Sequence, residues 1–303
     1  MQGKSHWVKQ QKESINWWTE VVQVRRLLDV IPARPASDGA GVKLKRVMGS
    51  GQHKLMDPFL MLDEIKADGS GDLGSGFPAH PHRGIETVSY MKKGGFRHED
   101  HLGNQRSIKS GGVQWMKSGK GIVHSEMPIL ENDQLHGFQI WLNMPAAQKM
   151  SDPEYLEISK NNFPALSGEG WLARLLLGGV EIDGRQYSAP LQRSATEPLL
   201  LDVSLSEGST MKLPVSDIKL MAYVYEGQVK PQGETDQIIS ESELAVFSEG
   251  GELVLRAEKQ AGLLILAGHP LNEPVVQYGP FVMNSREEVM QAVQEYQSGE
   301  FLN

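Results

Sequence analysis

Two short motifs in this sequence could hold a metal ion between them. His80 and His82 are separated by one residue, and so are His124 and Glu126 further along the chain. In an extended strand, alternate side chains point to the same face, so each motif presents both of its polar side chains together. Two such strands facing each other would surround a cation with three imidazoles and one carboxylate.

The histidines are concentrated in one part of the chain, which indicates a site. Of the nine histidines, seven lie between positions 53 and 136, namely His53, His80, His82, His98, His101, His124 and His136. The sequence contains no cysteine, so nitrogen and oxygen atoms must supply every metal ligand. Neutral imidazoles with one anionic carboxylate suit Fe(II), Mn, Ni, Cu or Zn, whereas Ca and Mg prefer oxygen ligands. The ligand types alone leave the metal open.

Composition excludes several classes of function. A net charge of -8 and a pI near 5.6 argue against direct binding of nucleic acid, which needs clustered Lys and Arg. The sequence has no apolar stretch long enough to span a membrane and no secretory signal at its start. Together with the missing cysteine, these features predict a cytoplasmic protein.

Short apolar runs separated by glycine-rich turns predict an all-β protein. A length of 303 residues exceeds what one core usually serves, so we expect two domains. The strand pattern runs through 22–150, weakens in a more polar stretch and resumes within 151–303. Residues 1–21 form a predicted N-terminal tail, in which Trp7, Trp17 and Trp18 are either loose or part of a short docked helix.

The two β domains can be aligned as an internal repeat. Tyr90–Gly94 matches Tyr223–Gly227 at an offset of 133, which carries the His80 and His82 positions onto Leu213 and Val215. Near the second motif the offset is 131. It carries the His124 and Glu126 positions onto Leu255 and Ala257. The second domain is therefore expected to lack metal ligands and to be filled with apolar side chains.

The chain ends in a predicted helix. Ser285 and Glu288 form a capping box, and Gly299 is a typical stop. Apolar residues follow at helical spacing from Val289 to Tyr296, so this helix is expected to cover a sheet.

Longer motifs around these residues identify a family resemblance. They are HPHRGIETVSY from His80, HED from His98, VQWMKSGKGIVHSEMP from Val113, HGFQIWLN from His136 and GPFVMNSREE from Gly279. In this order they closely resemble the pirin family, over a region from about Val22 to the C-terminus. The resemblance implies two tandem cupin domains, each a β-sandwich or jelly-roll barrel: an N-terminal metal-binding cupin over 22–150 and a C-terminal cupin over 151–303.

The resemblance also implies a site and an activity. The metal ligands would be His80, His82, His124 and Glu126, with one divalent transition metal per chain, Fe(II) being the first choice. The implied activity is that of a quercetin 2,3-dioxygenase, which opens a flavonol with O₂ and releases carbon monoxide. The flavonol's 3-hydroxyl and 4-carbonyl would meet the metal, and Glu126 would also be the catalytic base that accepts the hydroxyl proton.

Other polar residues near the motifs have competing interpretations. The general cupin pattern would use Glu86 as the acidic ligand, but here we expect it to orient a ligand from behind. His98 and Asp100 share a strand face and either line the cavity or form a hydrogen-bonded pair, while His101 should point away. His136 is expected to be buried and hydrogen-bonded. Trp115 and Met116 are expected in the core, with the pocket wall as the alternative; His6, His53 and His269 receive no role.

The resemblance leaves a second function open. Pirin-like proteins are also implicated as regulators that bind a partner protein, with the metal's redox state setting the surface. The sequence has no DNA-binding motif, so DNA contact would need such a partner. A closed metal site would favour the regulator, whereas an open site in a pocket would favour the enzyme.

Overall fold

The computed structural model describes residues 23–48, 53–192, 194, 196–215, 218–233 and 235–303. The predicted N-terminal tail, with its tryptophans and His6, lies outside these residues. The described chain is dominated by β-strands, as the sequence predicts. The strands of the first half are β1 (Leu27–Pro32), β2 (Arg34–Asp38), β3 (Val42–Met48), β4 (Phe59–Asp68), β5 (Phe77–His82), β6 (Ile85–Lys93), β7 (Gly95–Asp100), β8 (Gln105–Ile108), β9 (Val113–Lys117), β10 (Ile122–Ile129) and β11 (Gln134–Asn143).

The second half continues the same architecture. Its strands are β12 (Glu154–Ile158), β13 (Ala165–Gly168), β14 (Trp171–Leu177), β15 (Gly179–Ile182), β16 (Arg185–Ser188), β17 (Leu199–Leu205), β18 (Thr210–Leu213), β19 (Lys219–Pro231), β20 (Ile239–Ser240), β21 (Glu243–Phe247), β22 (Leu253–Gly268), β23 (Val276–Tyr278) and β24 (Phe281–Met283). The α-helices are α1 (His53–Met56) and α2 (Arg286–Ser298), and neither described helix is long and apolar enough to cross a membrane.

Two barrels are built from these strands. In the first, a sheet in the order β12-β9-β6-β11-β4-β3-β2 faces a sheet in the order β5-β10-β7-β8. In the second, the strands β1-β21-β19-β22-β17-β14-β13 form one sheet, with β18 paired to β22 and β20 to β19. The halves exchange edge strands across the predicted boundary at residue 150. β1 joins the second barrel's sheet, and β12 joins the first's.

The repeat predicted from the sequence is visible in the strand register. In the first barrel Tyr90 lies opposite Phe138, which lies opposite Glu64. In the second, Tyr223 lies opposite Leu264, which lies opposite Asp202. The phenol of Tyr90 donates to Asp202 and the phenol of Tyr223 donates to Glu64, so the same contact is made twice with the halves interchanged.

The register corrects part of the predicted alignment. His82 lies opposite Ile122 in the first barrel, and Leu213 lies opposite Leu253 in the second. At the offset of 131 Ile122 corresponds to Leu253, so Leu213 stands where His82 stands. His80 therefore corresponds to Met211, and the predicted matches of His80 to Leu213 and His82 to Val215 are wrong by two residues. A strand can shift by two residues and keep every side chain on its face, so apolar patterning alone could not exclude this error.

Apolar side chains fill the second barrel at the corrected positions. Met211, Leu213, Leu255 and Ala257 are each at most 1% exposed and belong to one core cluster. The expectation of an apolar second barrel is confirmed. A cavity of about 480 Å³ remains at its mouth, next to Val215 and His269, so the barrel is filled at its centre but open at one end.

The C-terminal segment returns to the first barrel. The capping box of Ser285 and Glu288 is present, and Gly299 ends α2 in the left-handed conformation. Phe281, Ala292 and Phe301 pack with Val123 of β10, so the predicted covering role of the helix is confirmed on the sheet that carries the second motif.

Candidate metal centre

The two motifs lie side by side on adjacent antiparallel strands. His124 of β10 lies directly opposite His80 of β5, and a register shift follows before Glu126. The ring centroids of His80, His82 and His124 are 4.4 to 5.1 Å apart. One nitrogen from each of these three rings lies within 4.8 Å of the others, which is a spacing that one metal ion can bridge.

Unpaired nitrogen atoms in this cluster fit a metal ion. Both ring nitrogens of His82 and Nε2 of His124 are buried and have no hydrogen-bond partner among the described residues. Buried polar atoms normally have a partner. A neutral imidazole has one lone pair, so His82 and His124 can each direct one unpaired nitrogen at a ligand. Burial, reinforced by the neighbouring histidines, lowers the pKa of His82 and of His124 well below the usual value. Both rings are therefore neutral at pH 7 and can donate lone pairs.

Glu126 is held by uncharged hydrogen-bond donors. Its Oε1 accepts from Gln114 Nε2 at 2.8 Å and lies 3.1 Å from Ser89 Oγ, and its Oε2 accepts from Gln139 Nε2 at 3.2 Å. Tyr155 donates to Oε1 of Gln114 at 3.4 Å, which fixes the orientation of that amide. These contacts orient a carboxylate that is only 2% exposed.

His98 and Asp100 form a hydrogen-bonded pair behind His124. His98 Nε2 lies 2.9 Å from Asp100 Oδ2, and His98 Nδ1 lies 3.3 Å from His124 Nδ1. Burial would raise the pKa of Asp100, but hydrogen bonds from His98 and Asn104 hold it below its usual range. The carboxylate therefore accepts a hydrogen bond from Nε2–H of His98, and Nδ1 of His98 then accepts a hydrogen bond from Nδ1–H of His124. This arrangement leaves His124 Nε2 free for a metal.

His98 also belongs to a second possible ligand group, with His124 and Glu126. Because Nδ1 of His98 is engaged by His124 and Nε2 by Asp100, we interpret His98 as a support for His124 and not as a ligand. The sequence offered both a cavity wall and a hydrogen-bonded pair for His98. The hydrogen-bonded pair is the one observed, and its contact with His124 was not anticipated.

Glu86 does not lie beside the metal centre. Glu86 lies three residues before Ser89 on β6, so the two side chains point to opposite faces of the sheet, and it is Ser89 that contacts Glu126. Glu86 instead accepts hydrogen bonds from Trp115 Nε1 at 2.9 Å and from Ser194 Oγ at 2.6 Å. The expectation that Glu86 orients a metal ligand is wrong. Side chains alternate between the two faces of β6, and Glu86 is on the face that packs between the barrels.

The remaining candidates have structural roles or none. Trp115 is buried in the cluster between the barrels, and Met116 is fully buried on the inner face of β9, so the core prediction is confirmed for both. His136 pairs with Glu64 at 2.8 Å, which confirms the expected hydrogen bond, but its side chain is only partly buried. His101 is exposed and lies on the turn after β7.

An open cavity leads to the candidate ligands. It has a volume of about 530 Å³ and is bordered by His80, His82 and Glu126 on one side. Apolar side chains form much of its wall, including Leu44, Met61, Ile65, Phe77 and Trp141. The backbone of Gly279 and Pro280 closes one edge, so the C-terminal segment completes a pocket of the N-terminal barrel.

Comparison with known proteins identifies related chains. The family model described as Pirin matches residues 41–142, and the model described as Pirin C-terminal cupin domain matches residues 200–302. A Pseudomonas aeruginosa protein named "Putative quercetin 2,3-dioxygenase" is 45% identical over 281 residues, covering 92% of this chain and 99% of the relative.

Solved structures show the same fold. A crystal structure of quercetin 2,3-dioxygenase from Acinetobacter baumannii superposes with a TM-score of 0.83 at 28% identity, covering 92% of this chain and 99% of that one. The bacterial pirin YhhW of Escherichia coli, solved in complex with nickel(II), superposes with a TM-score of 0.59 at 20% identity, covering 80% and 98%. The second likeness concerns the fold alone.

Proposed function

The chain belongs to the pirin family, and we propose that it is a metal-dependent dioxygenase that opens the ring of a flavonol with O₂ and releases carbon monoxide. The observation that carries this proposal is the open cavity of about 530 Å³ at His80, His82 and Glu126. Its size is within the range of pockets that bind small organic ligands. A regulator acting through a closed metal site would not need such a cavity.

We propose His80, His82, His124 and Glu126 as the metal ligands, with one Fe(II) per chain. Three imidazoles and a carboxylate suit a transition metal with positions left open for a substrate. When bound, the metal would act as a Lewis acid that acidifies the flavonol's 3-hydroxyl and supply the redox chemistry with O₂. The absence of cysteine from the sequence supports the cytoplasm as the proposed location.

Glu126 is the proposed base in this reaction. Among the described residues Oε2 has a single donor, Gln139, whereas Oε1 faces both Gln114 and Ser89. Oε2 is therefore the atom better placed to accept the 3-hydroxyl proton. The apolar wall would hold the planar rings and exclude water around them.

The test is O₂ uptake and carbon monoxide release by metal-loaded protein with a panel of flavonols. With at least one flavonol we expect one carbon monoxide to be released for each O₂ consumed. The Glu126→Gln variant should lose this turnover. Metal-loaded protein that binds flavonols without consuming O₂ would refute the dioxygenase.

A further inference from the structure

A polar row runs across one sheet from the candidate metal centre to an ion pair, and its members Gln139, Asp63 and Arg46 border the cavity. The register places Gln114, Ser89, Gln139, Asp63 and Arg46 opposite one another on five adjacent strands. The first three surround Glu126, as described above. The last two form a two-point ion pair, with Arg46 Nε 2.8 Å from Asp63 Oδ1 and Nη2 2.6 Å from Oδ2.

Arg46 is held rigidly but keeps free hydrogen-bond donors. Its Nη2 also donates to Asp38 at 2.7 Å. The hydrogen bonds that Arg46 donates to Asp63 raise the pKa of Arg46, so the group stays cationic. No hydrogen bond reaches Nη1 within the described part of the chain. The side chain is 33% exposed and borders both this cavity and a neighbouring one of about 580 Å³, so Nη1 is the part of the guanidinium left to donate to a ligand.

We propose that Arg46 and Asp63 form a subsite that binds a phenolic hydroxyl of the substrate remote from the metal. This inference rests on the proposed function, because it requires that a flavonol-like ring system occupy the cavity. The Cα positions of Gln139 and Arg46 are separated by two strand spacings, or about 10 Å. A three-ring flavonol that chelates the proposed metal beside Glu126 would therefore carry the hydroxyls at its ring ends toward Arg46.

The charges of the subsite favour a hydroxyl on the ligand over a carboxylate. Arg46 contributes one positive charge, while Asp63 and the half-exposed Asp38 contribute two negative charges, so the subsite is anionic overall. A carboxylate on the ligand would be repelled. A hydroxyl accepts a hydrogen bond from Nη1 and donates one to a carboxylate oxygen, so it matches both partners.

The test measures binding, not turnover, and uses Zn(II)-loaded protein under nitrogen. The ligands are 3-hydroxyflavone, which has only the chelating pair, and its 7-hydroxy and 4′-hydroxy derivatives. We expect at least one derivative to bind about tenfold more tightly than the parent, as for a hydrogen bond to a charged group. Equal affinities of the three flavones, or no binding of any of them, would overturn the proposal.

Variants locate the preference. The Arg46→Met, Asp63→Leu double variant replaces the ion pair with apolar side chains and avoids an unpaired buried carboxylate. In this variant the ratio of derivative affinity to parent affinity should fall to near one. If the double variant fails to fold, Arg46→Lys replaces it: the lysine keeps a partner for Asp63, and the ratio should again fall. The matched control is Arg97→Met, at a side chain that is 60% exposed on β7, which should keep the ratio. If the Arg46 variants keep the affinity ratio of native protein, the subsite is refuted. If native protein prefers the hydroxylated derivative but its metal-loaded form takes up no O₂, the dioxygenase alone is refuted.

Discussion

At the scale of single residues, the centre depends on how each imidazole is oriented. The sequence predicted His80, His82, His124 and Glu126 as one group, because alternate positions of a strand share a face. It could not show that His98 would lie 3.3 Å from His124, since that contact depends on how β7 and β10 pair. The HED motif marked His98 and Asp100 as candidates, but only the pairing of β7 with β10 shows that His98 supports His124.

Removing His98 should weaken metal binding without removing a ligand. In His98→Leu, the Nδ1 proton of His124 loses its acceptor, so we expect metal affinity to fall by about 10 to 100-fold, as for other groups behind a ligand. His98→Gln retains an acceptor and should restore part of the loss. The measurement is competition with a chelator, and the control is His101→Leu at the exposed neighbouring position. Unchanged affinity in a folded His98→Leu protein would contradict the assignment.

Glu86 provides the opposite case. Since its carboxylate binds Trp115 and Ser194 and faces away from the metal centre, Glu86→Gln should leave metal affinity within about twofold of native. It should lower the free energy of unfolding by about 1 to 3 kcal/mol, because a buried acceptor of two hydrogen bonds is altered. Chelator competition and denaturant unfolding measure the two effects. Loss of the metal in this variant would show that Glu86 is a ligand after all.

At the scale of elements, the C-terminal segment supports the strand that carries the proposed ligands His80 and His82. Gly84 follows the first motif with φ at 79°, and a Cβ there would lie 2.1 Å from the carbonyl oxygen of Val282. Lys149 donates to the carbonyls of Gly84 and Val282, and Arg83 pairs with Glu295 at 2.7 Å. The sequence predicted α2 from its cap residues, but not its destination, because no local signal specifies which sheet a terminal helix covers.

Gly84→Ala should displace this segment from the metal centre. The matched control is Gly103→Ala, since Gly103 also has a positive φ, at 86°, but nothing lies within 4 Å of its added Cβ. The control should lose about 1 to 2 kcal/mol from backbone strain alone. Gly84→Ala should lose more and also bind metal less tightly, as followed by thermal melts and chelator competition. Equal effects in the two variants would mean that the contact with Val282 is unimportant.

The second barrel tests the corrected alignment. Met211→His with Leu213→His would bury two imidazoles without partners where His80 and His82 stand in the first barrel. We expect a lower melting temperature in metal-free protein. A melting temperature that is unchanged or raised would show that these two positions are not the buried counterparts of the ligands.

At the scale of the whole molecule, the barrels form one structure around shared contacts. Tyr90 with Asp202 and Tyr223 with Glu64 join them through buried hydrogen bonds, and β1 and β12 cross between the sheets. The sequence showed the repeat through Tyr90 and Tyr223. It could not show the exchanged strands, because the residue pattern of an edge strand does not specify which sheet the strand joins. One barrel has the polar side chains proposed as ligands, and the other has apolar side chains at the same positions.

Metal content is the most direct test of this account. Protein purified without added metal and without a histidine tag should contain close to one transition metal ion per chain by elemental analysis. The His82→Ala, His124→Ala double variant should contain close to none, while its circular dichroism spectrum stays that of a β protein. A content near two ions per native chain, or an unchanged content in the double variant, would contradict a single centre in the N-terminal barrel.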